Sequence, residues 1–168
     1  VFKDADGTDN FRKDIADRIG EQGAYVNPTL HVYRAKTWAV SNSRVRRGQT
    51  ADYQSYIEKD LREFNTRLEH CSRLIEMGLK VITGSDSSWG DYRLGNTVYE
   101  TECLVMAGYS PMQAVLSVTS QAAVALGIDD VTGTLESGKV ADIIVIDGNP
   151  ADNVNDLWNI VDVYFRGC

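Results

Sequence analysis

Residues suited to metal binding or redox chemistry are scarce in this chain. Of 168 residues, only two are histidine and three are cysteine. Cys71, Cys103 and Cys168 have none of the close spacings of a zinc site, and their odd number and scatter outline no disulfide framework. Cys71 and Cys103 fall on apolar helical faces, where a free thiol behaves as a small hydrophobe. No run of about eighteen apolar residues occurs, so no membrane-crossing helix is expected. Positive charge is in deficit: 17 Lys and Arg stand against 24 Asp and Glu, for a net charge of −7. That balance argues against a nucleic-acid partner, whose phosphates demand a basic surface. The local exception, Arg44, Arg46 and Arg47, reads as the solvated end of a helix. Repeats, low-complexity segments, an initiator methionine and a signal peptide are also missing. Val1-Phe2-Lys3-Asp4 reads as the tail of a strand under way, and Tyr164 to Cys168 as a strand barely finished. The expectation is a piece of a longer protein, with its location open and the cytoplasm slightly favoured.

What is present is an ordinary globular composition, 43% hydrophobic and 24% charged, in a length that allows one good core or a domain with a small appendage. Thr8 is placed to cap a first helix whose buried stripe is Phe11, Ile15 and Ile19. Gly20 and Gly23 end it, and Ala24 to Leu30 reads as a strand with Pro28 near its end. A polar, weakly helical stretch follows from Arg34 to Gly48. Thr50 and Asp52 open the longest helix, reaching to about Met77. Its stripe runs through Tyr53, Tyr56, Ile57, Leu61, Phe64, Leu68, Cys71, Leu74 and Ile75. Gly78 stops it.

A short β-rich run, Leu79, Val81, Ile82 and Thr83, then carries Asp86 into a loop of small residues. Loops at the carboxyl ends of parallel strands are where such folds place their chemistry. Asp86 is therefore the candidate catalytic or metal-binding acid. The plainer alternative is an aspartate that only starts a turn.

Downstream, Thr97 with Glu100 and Ser110 with Gln113 form two capping-box patterns, the second with Pro111 at the first helical position. The helix through Ala114, Val118, Ala122 and Leu126 is apolar on most sides and is expected to be largely buried. After Gly127 come a turn at Gly133 to Gly138, a strand at Val140 to Ile146, a turn at Gly148-Asn149-Pro150 and an alternating, half-buried strand at Ile160 to Arg166. Two strands are too few for a stable sheet, so this tail needs partners. Helix alternating with strand implies parallel crossovers in an α/β fold.

Taken together, these segments resemble the C-terminal portion of a metal-dependent amidohydrolase, in the branch of imidazolonepropionase and prolidase-like dipeptidases. The resemblance rests on Asn27-Pro28-Thr29-Leu30, on Gly78 to Val81 leading into Gly84-Ser85-Asp86, and on Glu100 to Gly108. It continues through Ser110-Pro111-Met112-Gln113-Ala114, Thr119 to Gly127, Gly133 to Asp142 and Gly148-Asn149-Pro150. It implies the C-terminal part of a (β/α)₈ TIM barrel, residues 1–127 with strands seven and eight, plus part of a small β-sandwich domain, residues 128–168. It also implies hydrolysis of a C–N bond in a dipeptide, an N-acyl amino acid or a similar small molecule, with a divalent metal, usually zinc. Asp86, after the eighth strand, would bind the metal and act as acid and base. His31, Tyr33 and Trp89 would line the substrate pocket, although packing is an equal reading for the two aromatics. His70, between Leu68 and Leu74, reads as structural.

The family's other metal ligands would precede Val1, and His31 and His70 do not replace them. The chain alone is therefore expected to be inactive and to hold no metal tightly. Two other readings stand beside this one. The first is a non-catalytic scaffold that self-associates, as a homo-oligomer, or is completed by the missing N-terminal half or another chain. The second is an unrelated α/β domain with a strand-end aspartate.

Overall fold

In a computed structural model of the chain, residues 10–34, 53–86, 95 and 97–168 are described, with 53, 54 and 56 through their backbone only. The elements run in the expected order. They are α1 (Lys13–Glu21), β1 (Tyr25–Val26), α2 (Tyr53–Glu76), β2 (Lys80–Val81), α3 (Val98–Met106), α4 (Pro111–Val118), α5 (Ser120–Leu126), β3 (Ile143–Ile146), a 3₁₀ turn (Val154–Trp158) and β4 (Ile160–Tyr164). Residues 30–34 are also helical. The expected Thr8 cap, the 34–48 stretch beyond Arg34 and the Thr50–Asp52 helix start lie outside the described residues. None of the described helices is long and apolar enough to cross a membrane.

β1 and β2 pair in parallel, with Val26 opposite Val81. The core gathers on this pair: Ala16 from α1, Leu30, then Phe64, Cys71 and Leu74 from α2, Val81, and Cys103, Leu104 and Ala114 from α3 and α4. The long helix keeps its stripe only in part. Leu61 is exposed, while Arg67 and His70 occupy buried positions between the apolar ones. The first strand is shorter than expected. It ends at Val26, because the chain turns at Asn27-Pro28-Thr29 and is helical again from residue 30.

Among the described residues, a side chain and a helix meet the far edge of β2. Ile82 N–H donates to Val26 O across the pair at 2.9 Å. Backbone groups alternate in direction along a strand, so those of Val81 face the other way. There the Tyr109 hydroxyl accepts from Val81 N at 3.3 Å and donates to Val81 O at 3.0 Å. Thr83 N–H donates to Ser117 O at 3.1 Å, and the two hydroxyls share a bond of 2.7 Å. Removing the phenol oxygen strands both backbone groups of Val81. Tyr109→Phe is accordingly expected to cost about 1–2 kcal/mol in urea unfolding of the full-length gene product. An unchanged midpoint would show that Val81 finds other partners.

Ser110 and Gln113 form the expected reciprocal cap, Gln113 N donating to Ser110 Oγ and Ser110 N to Gln113 Oε1. The helix beyond it is not continuous. It breaks at Thr119 (φ −116°, ψ −101°), resumes as α5 and stops at Gly127 in the left-handed region. Nor is it largely buried, since Met112, Val124 and Leu126 are exposed. Its apolar residues outnumber the neighbours available to cover them among the described residues.

β3 and β4 form a separate antiparallel pair, Ile143 opposite Tyr164, irregular between Val145 and Ile146. Every residue of β4 is exposed, where alternation predicts half-burial. Alternation shows which residues share a face. Burial of that face needs a covering layer, and none of the described residues supplies it. Val154 and Leu157 of the 3₁₀ turn are buried, and the Trp158 indole donates to Glu102 of α3 at 2.6 Å. The fold is thus mixed α/β, with one parallel pair and no closed barrel among the described residues.

Candidate functional site

Parallel pairing brings the carboxyl ends of β1 and β2 to the same side. β1 runs into Asn27-Pro28-Thr29, and β2 into Ile82 to Asp86. The two loops touch through the absence of a side chain. A Cβ added to Gly84 would come within 2.5 Å of Asn27 Cγ and closer still to its amide atoms. Glycine at 84 lets the second loop lie directly against the first.

Both loops carry backbone strain. Among the described residues, three non-glycine residues have positive φ, and two of them are Thr29 (48°) and Asp86 (43°). A left-handed threonine is an outlier for a β-branched side chain. Each such residue costs on the order of 1–3 kcal/mol, and such residues cluster at functional sites. Asp86 is exposed at the mouth formed by the two loops.

His31 is 2% exposed in the turn that follows Thr29. Burial disfavours its charged form and lowers its pKa, the Asp86 charge opposes that, and Arg34 adds to it. Asp86 and His31 are therefore electrostatic neighbours, but the imidazole is not offered to solvent. Tyr33 is part-buried, with the Arg67 guanidinium carbon 3.7 Å from its ring centroid. It lines a cleft of about 230 Å³ behind the Asn27–Leu30 loop, together with Arg67 and His70. Trp89 lies outside the described residues.

Sequence reasoning missed Glu100. The Thr97–Glu100 capping box does not form: Thr97 makes no side-chain cap, and Glu100 turns inward to complete burial. Its Oε1 accepts from Leu30 N at 2.9 Å and its Oε2 from His31 N at 2.6 Å. These are the first amides of the 30–34 turn, groups that have no partner within a helix. Glu100 caps another helix instead of its own. Burial pushes its carboxyl up to about 7, against the pull of the His31 and Leu30 amides. The signal was in the spacing: Glu100 shares a helical face with Cys103, Leu104 and Ala107, all buried, so the face that holds it is the core face.

Two residues along, Glu102 accepts from Arg34 at 2.5 Å while also receiving the Trp158 indole. Two glutamates within one turn of α3, Glu100 facing inward and Glu102 beside it, thus hold both ends of the 30–34 segment. The thiols beneath, Cys71 and Cys103, are each raised to about 12, mainly by burial and then by the Glu100 charge. They are inert as nucleophiles.

A catalytic zinc takes about three protein ligands. Among the described residues no group of three His, Cys, Asp or Glu side chains is placed to hold a metal. Asp86 offers one carboxylate, so the described residues do not fit a complete centre. A cleft of about 450 Å³ opens elsewhere, between α4–α5 and β3, lined mostly by apolar side chains such as Val118, Ala122, Leu126 and Ile144, with Asp142 at its wall. It faces no acid–base pair.

The family model of the amidohydrolase family matches residues 3–167. The imidazolonepropionase of Symbiobacterium thermophilum is 32% identical over 85 residues, 49% of this chain and 20% of that protein. A solved Xaa-Pro dipeptidase, with methionine bound in its active site, superposes with a TM-score of 0.70 at 25% identity, covering 93% of this chain and 36% of its own. A solved amidohydrolase gives a TM-score of 0.73 at 28% identity, covering 95% and 37%. The chain thus spans about a third of the length of these solved structures and a fifth of the curated relative.

Proposed function

The chain belongs to the amidohydrolase family, and from that premise we propose that it is the C-terminal part of a hydrolase acting on C–N bonds. One observation carries the reading. Asp86 stands exposed and strained at the carboxyl end of β2, directly beside the loop that ends the parallel neighbour. In this proposal residues 1–127 belong to a (β/α)₈ barrel and residues 128–168 to a β-sandwich, both completed by polypeptide outside this chain. Asp86 takes the proton of the attacking water and returns it to the leaving nitrogen, the exchange a fixed carboxylate performs in acid–base catalysis. The family premise adds a divalent metal, zinc by preference, with Asp86 as one ligand. Its other ligands would come from outside the described residues.

The similarity to an Xaa-Pro dipeptidase and an imidazolonepropionase makes small amides the substrates to try first. The test is hydrolysis of dipeptides and N-acyl amino acids by the full-length gene product, before and after chelation. We expect activity that chelation abolishes and zinc restores. Turnover indifferent to chelation would remove the metal from the proposal, and no turnover across the panel would remove the hydrolase.

A second reading is favoured by the β-tail. Ile144, Val161, Val163 and Phe165 are all exposed apolar residues on or beside a two-stranded sheet, a surface suited to association. Light scattering on the purified chain separates the readings, since a well-folded monomer would count against self-association.

A further inference from the structure

We propose that Glu100 is a positioning residue that fixes the turn at 29–31 against the Asp86 loop. The inference rests on the site reading above and adds a residue to it. Glu100 belongs to α3, on the far side of the Asp86 loop in sequence, yet its two oxygens bind consecutive amides some 70 positions earlier. Bidentate binding of this kind fixes both distance and orientation.

The bound amides follow Thr29 directly, and Thr29 is held at a φ that threonine avoids. A conformation of that kind persists only when its surroundings over-determine it. The carboxylate on one side and the Asn27–Gly84 contact on the other are two such constraints. His31 Nδ1 lies 3.9 Å from Glu100 Oε2. The same carboxylate thus sets the backbone of His31 and lies beside its ring. These bonds lie in the core: Leu30, Cys103 and Leu104 are all buried, so no water can stand in for a lost bond cheaply. Glu100 is fully buried. It acts through the turn.

The test uses the full-length gene product with Glu100→Gln, which keeps size and one acceptor but aims an NH₂ at the second amide. Hydrogen–deuterium exchange is read on peptides spanning 25–34, 79–86 and 111–118. We expect exchange to rise about tenfold in the first two, the factor that one lost hydrogen bond provides, with the third unchanged. On the best substrate found, kcat should fall on the order of 10–100-fold with KM nearly constant, as misplacement by a fraction of an ångström does. Glu100→Asp keeps the charge with a shorter reach. It should fall between wild type and Glu100→Gln in both readouts, and it serves if the glutamine variant does not fold.

Protection unchanged at 25–34, or altered only in peptides of α3 itself, overturns the positioning role. So does a kcat equal to wild type in a variant whose exchange has risen. If the wild-type protein hydrolyses nothing, the hydrolase reading fails while the exchange result still decides the part played by Glu100.

Discussion

Asp86→Asn is expected to lower kcat of the full-length gene product by about 10²–10⁴-fold, the range for losing a positioned acid–base group, while leaving the fold as it is. The choice of asparagine follows from the backbone. Asp86 sits at φ 43°, where alanine would be strained but asparagine and glycine are tolerated. An alanine variant therefore mixes two effects: a lost carboxylate and a loop forced out of the left-handed region. Asparagine keeps shape and conformation and removes the charge, and with it the ability to take up and return a proton and the carboxylate offered to a metal. Glycine supplies the complementary control. It removes the side chain and relieves the strain, so a stabilised protein with no turnover is the expected outcome for Asp86→Gly. If Asp86 were only a turn residue, both variants would work as well as wild type, and that result would end its catalytic role.

Gly84→Ala is the second large effect. The new Cβ meets Asn27 at Cγ as well as at the amide, so rotating the amide does not clear it. Asn27 must leave its place, and it stands two residues before the strained Thr29 and four before His31. Overpacking of this kind costs about 1–3 kcal/mol. The same shift reaches Asp86 from the other side, because Gly84 precedes it by two positions. A loss of turnover of roughly 10–100-fold is expected alongside the loss of stability. Asn27→Ala should rescue the combination: with the carboxamide gone, the alanine at 84 has room. In a double-mutant cycle the pair should couple by about 1–2 kcal/mol, as residues in direct contact do. Strict additivity in unfolding would show that the two loops yield independently and that the close approach is not a constraint.

Much of the architecture is legible from the residues. The Ser110–Gln113 box with Pro111 marks its helix to the residue, because the signal is local: one side chain, one amide, three positions apart. Gly127 and Gly78 end helices as left-handed glycines do. The strand order and the placement of Asp86 after β2 follow from alternating periodicities and from where glycine interrupts them.

The failures share a cause. Thr97–Glu100 has the spacing of a capping box, yet the same glutamate lies on the buried face of its helix and is claimed by amides from another part of the chain. A local pattern and a tertiary demand competed for one carboxylate. The tertiary demand won, because unpaired amides at a buried helix start cost more than an exposed cap returns. The apolar α4–α5 segment and the β-tail err the other way. Their patterns foretell burial, but burial depends on a covering layer that periodicity cannot count.

Family membership, element order and the acid delivered after β2 are all legible in the residues alone. Those are properties of short segments and their succession, carried by glycines, caps and repeating apolar positions. Packing in three dimensions sets Gly84 on Asn27, puts both Thr29 and Asp86 in the left-handed region, brings the Tyr109 hydroxyl to Val81, and lets Glu100 reach back to Leu30 and His31. Each of these joins residues far apart in the chain. Whether they meet is set by how parallel strands and the helices over them pack, a matter of three-dimensional closeness that no local pattern encodes.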